Sequence, residues 1–248
     1  QFERGEHLGC SGGATEDGDR PPVRHELEVG AEGPGTDPVD PRFDAMAEAV
    51  DRRAWGLRAL TTREKAFVLI TADLCTGNLG APLASHVATA VANGVEVRDC
   101  AAAIRHLAPF VGYPTASVAL RQLRAAYPDW TPDPPLPPPA TPGRHVIPPD
   151  VLDRLDALDS GFSAFATEQF DTRWDADDGV SNRERALMCL ATDVLHQTLD
   201  ESFDLHLDFA TGEGAGRHEI NAVLLLVAGY GVAKAWHAHR ALLRRLAD

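Results

Sequence analysis

A chain that carries the same unit twice must pack the two copies together or leave two unfinished cores facing water, and this sequence carries such a unit. Laying residues 180–244 over residues 60–124, an offset of 120, aligns them without a gap and yields 12 identities. "LTTREKAFVLITAD" lies over "VSNRERALMCLATD", pairing Arg63 with Arg183, Glu64 with Glu184, Ala66 with Ala186 and Asp73 with Asp193. Further along, His86 falls on His206, Ala90 on Ala210, Gly94 on Gly214, Ala102 on Ala222 and Ala108 on Ala228.

The pattern of the matches points to helices. Each copy opens on a capping-box signature, Thr61 with Glu64 and Ser181 with Glu184, in which the hydroxyl caps an early N–H and the carboxylate reaches back. That signature accounts for both glutamates as structural residues. Each copy then reads as a helix, a short break, a second helix bearing the shared histidine, a stop at Gly94 or Gly214, and further helix. Ile220, Val223, Leu224 and Val227 recur at the spacing of a buried helix face, and no run alternates as a strand does. Aromatics make up only 6% of the chain and alanine is abundant, which favours closely packed helices. The expected fold is all-α: two tandem helical bundles forming an internal pseudo-dimer. Residues 1–42, rich in Gly, Pro and acids, read as a disordered tail. The first repeat is expected over 43–127, a proline-rich linker over 128–150, and the second repeat over 151–248.

Charge and cysteine usage narrow the function. A net charge of −14 and a pI near 5.1 argue against nucleic-acid or anionic-membrane partners, which attract basic patches. Lys65 and Lys234 are the only lysines, and neither sits in a motif for Schiff-base chemistry. Cys10, Cys75, Cys100 and Cys189 show neither a CxxC nor zinc-like spacing and read as reduced thiols. His237 and His239 are two apart, on different faces of a helix, which disfavours a shared metal. No apolar run is long enough to span a bilayer and no stretch reads as a secretory signal, so a cytoplasmic protein is expected.

The repeated histidine is the strongest chemical signal. On a helix, His206 shares a face with Leu199, Ser202, Phe203, Phe209 and Ala210, and His86 lies likewise over Leu79, Leu83 and Ala90. Both rings therefore point inward. Two readings of them remain open: a proton carrier in a pocket, or a core histidine satisfied by one acceptor. Asp204 and Asp208 stand two residues from His206 and face elsewhere. His196, Phe203, Tyr230 and Trp174 are candidates to line a pocket, while His106, whose counterpart is Leu226, reads as an ordinary helix-face residue.

With those residues in view, both blocks resemble the carboxymuconolactone decarboxylase and alkylhydroperoxidase-D-like superfamily. The matching runs are "LTTREK", "SHVATAVANGVEVRD" and "FVGYP" in the first copy and "VSNRER", "LHLDFATGEGAGRHEI" and "YGVAKA" in the second, with Trp174 standing ahead of the latter. The resemblance implies an all-helical, oligomeric protein, here a trimer of pseudo-dimers, and places His86 and His206 at the family's active-site histidine. The redox branch of that superfamily uses a CxxC just before the histidine, absent here, and a first-helix glutamate whose position holds Ala66 or Ala186. Thiol peroxidase chemistry is therefore not expected.

The function expected is a cofactor-independent, metal-free lyase of decarboxylase type, or an isomerase. It would act on a small carboxylated, lactone-like or polyketide-like molecule, with His206 as principal acid/base and His86 as its counterpart. The alternatives are a cyclase or dehydratase of secondary metabolism using the same pocket, and a catalytically silent ligand-binding or scaffold protein.

Overall fold

The computed structural model describes residues 40–135, 147–171, 173–174 and 178–245. Most of the expected tail, and 136–146 of the expected linker, lie outside them. Among the described residues the chain is all-helical. The first half holds α1 (Pro41–Trp55), α2 (Thr62–Thr76), α3 (Ala81–Ala92), α4 (Val97–Val111) and α5 (Tyr113–Ala126). The second holds α6 (Pro149–Leu158), α7 (Ser160–Asp171), α8 (Asn182–His196), α9 (Glu201–Gly212), α10 (Arg217–Val227), a 3₁₀ turn (Ala228–Tyr230) and α11 (Val232–Arg245).

Helices α2 and α8 run along each other at the centre. Nearly every residue from Glu64 to Leu74 and from Glu184 to Leu195 is buried, so both are covered on all sides rather than along one stripe. Their N-termini are fixed by the expected capping boxes. The Glu64 amide donates to Thr61 Oγ1 at 3.1 Å while the Thr61 amide donates to Glu64 Oε2 at 2.7 Å. Ser181 and Glu184 repeat the arrangement at 3.3 and 2.8 Å.

Each capping glutamate has a second oxygen, and the other copy uses it. Arg183 Nε donates to Glu64 Oε1 at 2.7 Å, and Arg63 Nε donates to Glu184 Oε1 at 2.6 Å. The exchange relates the two copies by a pseudo-two-fold axis between α2 and α8. The cores interlock in the same way: Val68, Leu69 and Ala72 of α2 pack into the second half's core, and Met188 of α8 packs into the first's.

The turn ahead of α8 is held against this centre. Arg63 also reaches Asp99 and the Gly179 carbonyl. Gly179 has φ +87°, and a Cβ there would fall 2.6 Å from Asp99 Oδ1, so only glycine fits. Arg185, 1% exposed, donates to Asp178 Oδ1 at 2.5 Å and to the Val180 carbonyl at 3.0 Å. Its counterpart Lys65 donates to the Trp55 and Leu57 carbonyls at 2.6 and 2.9 Å, closing the end of α1.

The gapless register of 120 holds for α2 and α8, α3 and α9, and the starts of α4 and α10, but the last helix departs from it. α5 begins at Tyr113 and α11 at Val232, an offset of 119. α10 tightens into its 3₁₀ turn and delivers the chain to the final helix one residue sooner. Up to Phe110 and Tyr230 the original pairing stands.

Glu184→Ala removes a capping box and the partner of Arg63 together. The expected cost is about 1–3 kcal/mol, from a lost cap and a largely buried ion pair, read as a lowered urea midpoint at unchanged slope.

Candidate functional site

Each copy places its histidine against a buried carboxylate across a helix corner. The turn at Gly77 (φ +73°) folds α3 back onto α2, and His86 Nδ1 lies 2.6 Å from Asp73 Oδ2. In the second copy His206 Nδ1 lies 2.6 Å from Asp193 Oδ2, across the corner between α8 and α9. Asp73 is fully buried and Asp193 nearly so. The ring of His206 is 8% exposed and that of His86 15%, so neither projects into bulk water. A carboxylate only accepts, so Nδ1 is the donor to it and Nε2 is turned away from the carboxylate. Among the described residues no hydrogen bond engages either Nε2.

The two carboxylates are completed differently. Asp73 Oδ1 accepts from the hydroxyl of Tyr230, in the opposite copy, at 2.8 Å. Burial, and then the neighbouring Asp73, push the Tyr230 phenol far above its usual range, so it stays protonated and donates. The position equivalent to Tyr230 is Phe110, which has no hydroxyl to give. Asp193 Oδ1 instead accepts from Thr198 Oγ1 and Ser202 Oγ, both at 2.7 Å. Phe110 turns its ring toward His206, with centroids 5.9 Å apart. Each histidine pair thus takes one aromatic neighbour from the other copy.

Around His206 the wall is aromatic. Phe209 lies 6.2 Å from its ring, Trp174 packs 5.0 Å from Phe209, and Phe170 sits 5.4 Å from Phe110. Trp174 therefore belongs to this cluster, while Phe203 is fully buried in the same core without a ring contact to His206. His196 does not join them: it is exposed at the end of α8, where the helix stops at left-handed Gln197. Asp204 and Asp208 pair with Arg245 on the outside.

His106 is not the ordinary helix-face residue expected. It is 2% exposed, edge-on to Trp174 at 5.7 Å and 5.9 Å from Phe110, with Nε2 3.4 Å from Cys189 Sγ and Nδ1 without a partner. Burial first, then the positive charge of Arg185 and its neighbours His206 and Arg173, hold its pKa well below 6.5, so the ring is neutral. Its counterpart, Leu226, gave no hint of this.

The three described thiols are held protonated at neutral pH. Burial pushes Cys75 up to about 11 and Cys100 up to about 12, and raises Cys189 well above the usual range. Among the described residues no three His, Cys, Asp or Glu side chains converge as a metal site, and no helix is long and apolar enough to cross a membrane.

The sequence pattern of the carboxymuconolactone decarboxylase family matches residues 41–125 and again residues 161–244, one match per half. The chain belongs to that family. A crystal structure from Burkholderia xenovorans LB400, described as a gamma-carboxymuconolactone decarboxylase subunit, is similar to the chain with a TM-score of 0.51 at 20% identity. The likeness covers 84% of this chain and 86% of that one, and is a likeness of fold. No curated protein matches the chain significantly.

Asp73 and Asp193 are the residues that sequence reasoning left without a role. They were among the repeated identities, 13 positions ahead of the histidine in both copies. That shared spacing was the available signal.

The buried neutral His106 makes a pH prediction. The unfolded chain protonates this group below about pH 6.5 whereas the fold resists protonation, so its contribution to stability is lost as pH falls through 6.5. Between pH 7 and pH 5 the wild type is expected to lose more stability than His106→Leu. Urea titrations of both proteins at the two pH values measure the difference.

Proposed function

We propose that the chain is a cofactor-independent lyase or isomerase in which a carboxylate-held imidazole moves a proton on a small carboxylated or lactone-like acid. The observation that carries this reading is the duplicated pair: in each copy a buried aspartate holds Nδ1 and leaves Nε2 without a partner. A buried carboxylate keeps the ring in one tautomer and stabilises the imidazolium formed when Nε2 takes a proton. Family membership supports the decarboxylase side.

His206 is the principal acid/base in this reading, because its aromatic neighbours Phe110, Phe209 and Trp174 keep the surroundings dry. In decarboxylation Nε2 first takes the proton of the substrate's carboxylic acid, the carbon–carbon bond to the resulting carboxylate breaks, its electron pair enters an enolate, CO2 leaves, and Nε2 gives that same proton to carbon. In isomerisation the same nitrogen removes and returns the proton. Phe203, buried in the core on the helix of His206, and Tyr230, which fixes Asp73 from across the axis, would support the site, and His86 serves as the counterpart acid/base. Thiol peroxidase chemistry would find no thiolate among the described cysteines Cys75, Cys100 and Cys189.

The chain is further proposed to assemble as a homo-oligomer, a trimer of pseudo-dimers. Val232, Trp236 and Leu243 leave 75%, 65% and 60% of their surfaces exposed along one side of α11, an apolar stripe suited to a second copy. Trp236→Glu is expected to shift the assembly toward the 26.6 kDa single chain in sedimentation velocity; a wild type that already sediments as one chain would refute it.

With γ-carboxymuconolactone as the test acid, His206→Ala is expected to lower kcat/KM about 100-fold or more, and His86→Ala by less. Asp193→Asn added to His206→Ala should cost little beyond the single change, because the pair acts as a unit. Product mass separates loss of CO2 from loss of water or no change. Undiminished turnover in both histidine variants would end the proposal.

A further inference from the structure

The outer face of the first copy carries a groove of about 540 Å³ between α4, α5 and the segment after α7. Its size is that of a small-molecule site. Four arginines line it, Arg105, Arg121, Arg124 and Arg173, against one carboxylate, Asp133. In a chain with a net charge of −14, this is a local excess of positive charge.

The bonding of those arginines is what distinguishes the groove from a solvated face. Arg105 pairs with Asp133 at 3.1 Å, and among the described residues the other three donate only to neutral oxygens. Arg173 donates to the Arg105 carbonyl at 3.2 Å, the Tyr113 hydroxyl at 2.7 Å and Gln169 Oε1 at 3.4 Å. Arg124 donates to the Pro128 carbonyl at 2.7 Å and to the Trp130 carbonyl. Arg121 donates to Ser117 Oγ at 3.1 Å. Neutral acceptors orient a guanidinium without neutralising it, so the forks are held in place and their charge is uncompensated. Arg173 Nε and Trp130 Nε1, two further donors of this wall, are buried without an acceptor among the described residues. The floor between them is apolar: Ala108, Ala116 and Leu120, with Pro132 at one side.

The second copy shows that this face is not a generic property of the repeat. Arg105, Tyr113, Ser117 and Arg124 correspond to Leu225, Val232, Trp236 and Leu243, all exposed and apolar, while Arg121 keeps a cationic counterpart in exposed Arg240. One face gathers four arginines while its twin is largely an apolar stripe.

We infer that the Arg105–Arg121–Arg124–Arg173 groove binds a small, flat organic anion, one with carboxylate or phosphate oxygens for the guanidinium forks and a hydrocarbon or ring body for the apolar floor. The site is separate from the histidine pairs, since none of His86, Asp73, His206 or Asp193 lines it, and it does not rest on the proposed reaction.

The test titrates phthalate and phenyl phosphate into the full chain by calorimetry, with benzamide and benzylamine as neutral and cationic controls. The anions are expected to bind at least about tenfold more tightly than either control, and to weaken as salt is raised. The ratio of the two anions identifies the preferred head group. Arg124→Gln and Arg173→Gln should each weaken binding about tenfold. Arg121→Gln, at an exposed side chain whose only described bond is to Ser117, should weaken it by a smaller factor without disturbing the fold. His206→Ala should leave it unchanged. Anions that bind no better than benzamide, affinity indifferent to all three arginine changes, or affinity lost with His206 rather than with the arginines would each overturn the assignment.

Discussion

Two helices covered around their whole circumference can exist only if each provides the other's last open side. α2 and α8 meet that constraint by lying together across the pseudo-two-fold axis, and the crossed Arg63–Glu184 and Arg183–Glu64 contacts fix how they lie. The same glutamates cap their own helices, so the start of each central helix and its docking on the other are set by one carboxylate with two oxygens. The candidate site hangs from this pair: Asp73 and Asp193 lie toward its far ends, and α3 and α9 fold back to bring the histidines to them.

From that symmetric frame the halves have diverged by small chemical steps. Tyr230 offers a hydroxyl to Asp73, whereas Phe110 offers only a ring to His206, and Thr198 with Ser202 supply the missing hydrogen bonds to Asp193. The result is one histidine completed by a phenol and one enclosed by aromatic rings. A buried carboxylate must be satisfied, and the two halves have found different donors for an equivalent oxygen.

Much of the frame was legible because it repeats. The offset of 120, the capping boxes and the inward register of His86 and His206 all follow from local rules of helix geometry. The aspartates were visible as identities but not as partners, since 13 residues and a helix corner separate them from the histidines and no local rule crosses that corner. His106 was hidden for a different reason. Its burial comes from Trp174 and Phe110, and its repeat counterpart is a leucine, so comparison of the copies pointed away from it. The exposed position of His196 likewise depends on where α8 ends, which the left-handed Gln197 sets. The shortened link before α11 was invisible to an ungapped alignment because the paired leucines and arginines near the helix end, Leu123 with Leu243 and Arg124 with Arg244, match at the uncorrected offset.

The swap of aromatic neighbours across the axis ties the fates of the halves together. Tyr230 is lent to the first copy and Phe110 to the second, so neither half completes the surroundings of its own histidine pair. Cutting the gene in two would give fragments whose imidazoles each lack a neighbour until they meet again, and drift in one half is registered around the histidine of the other.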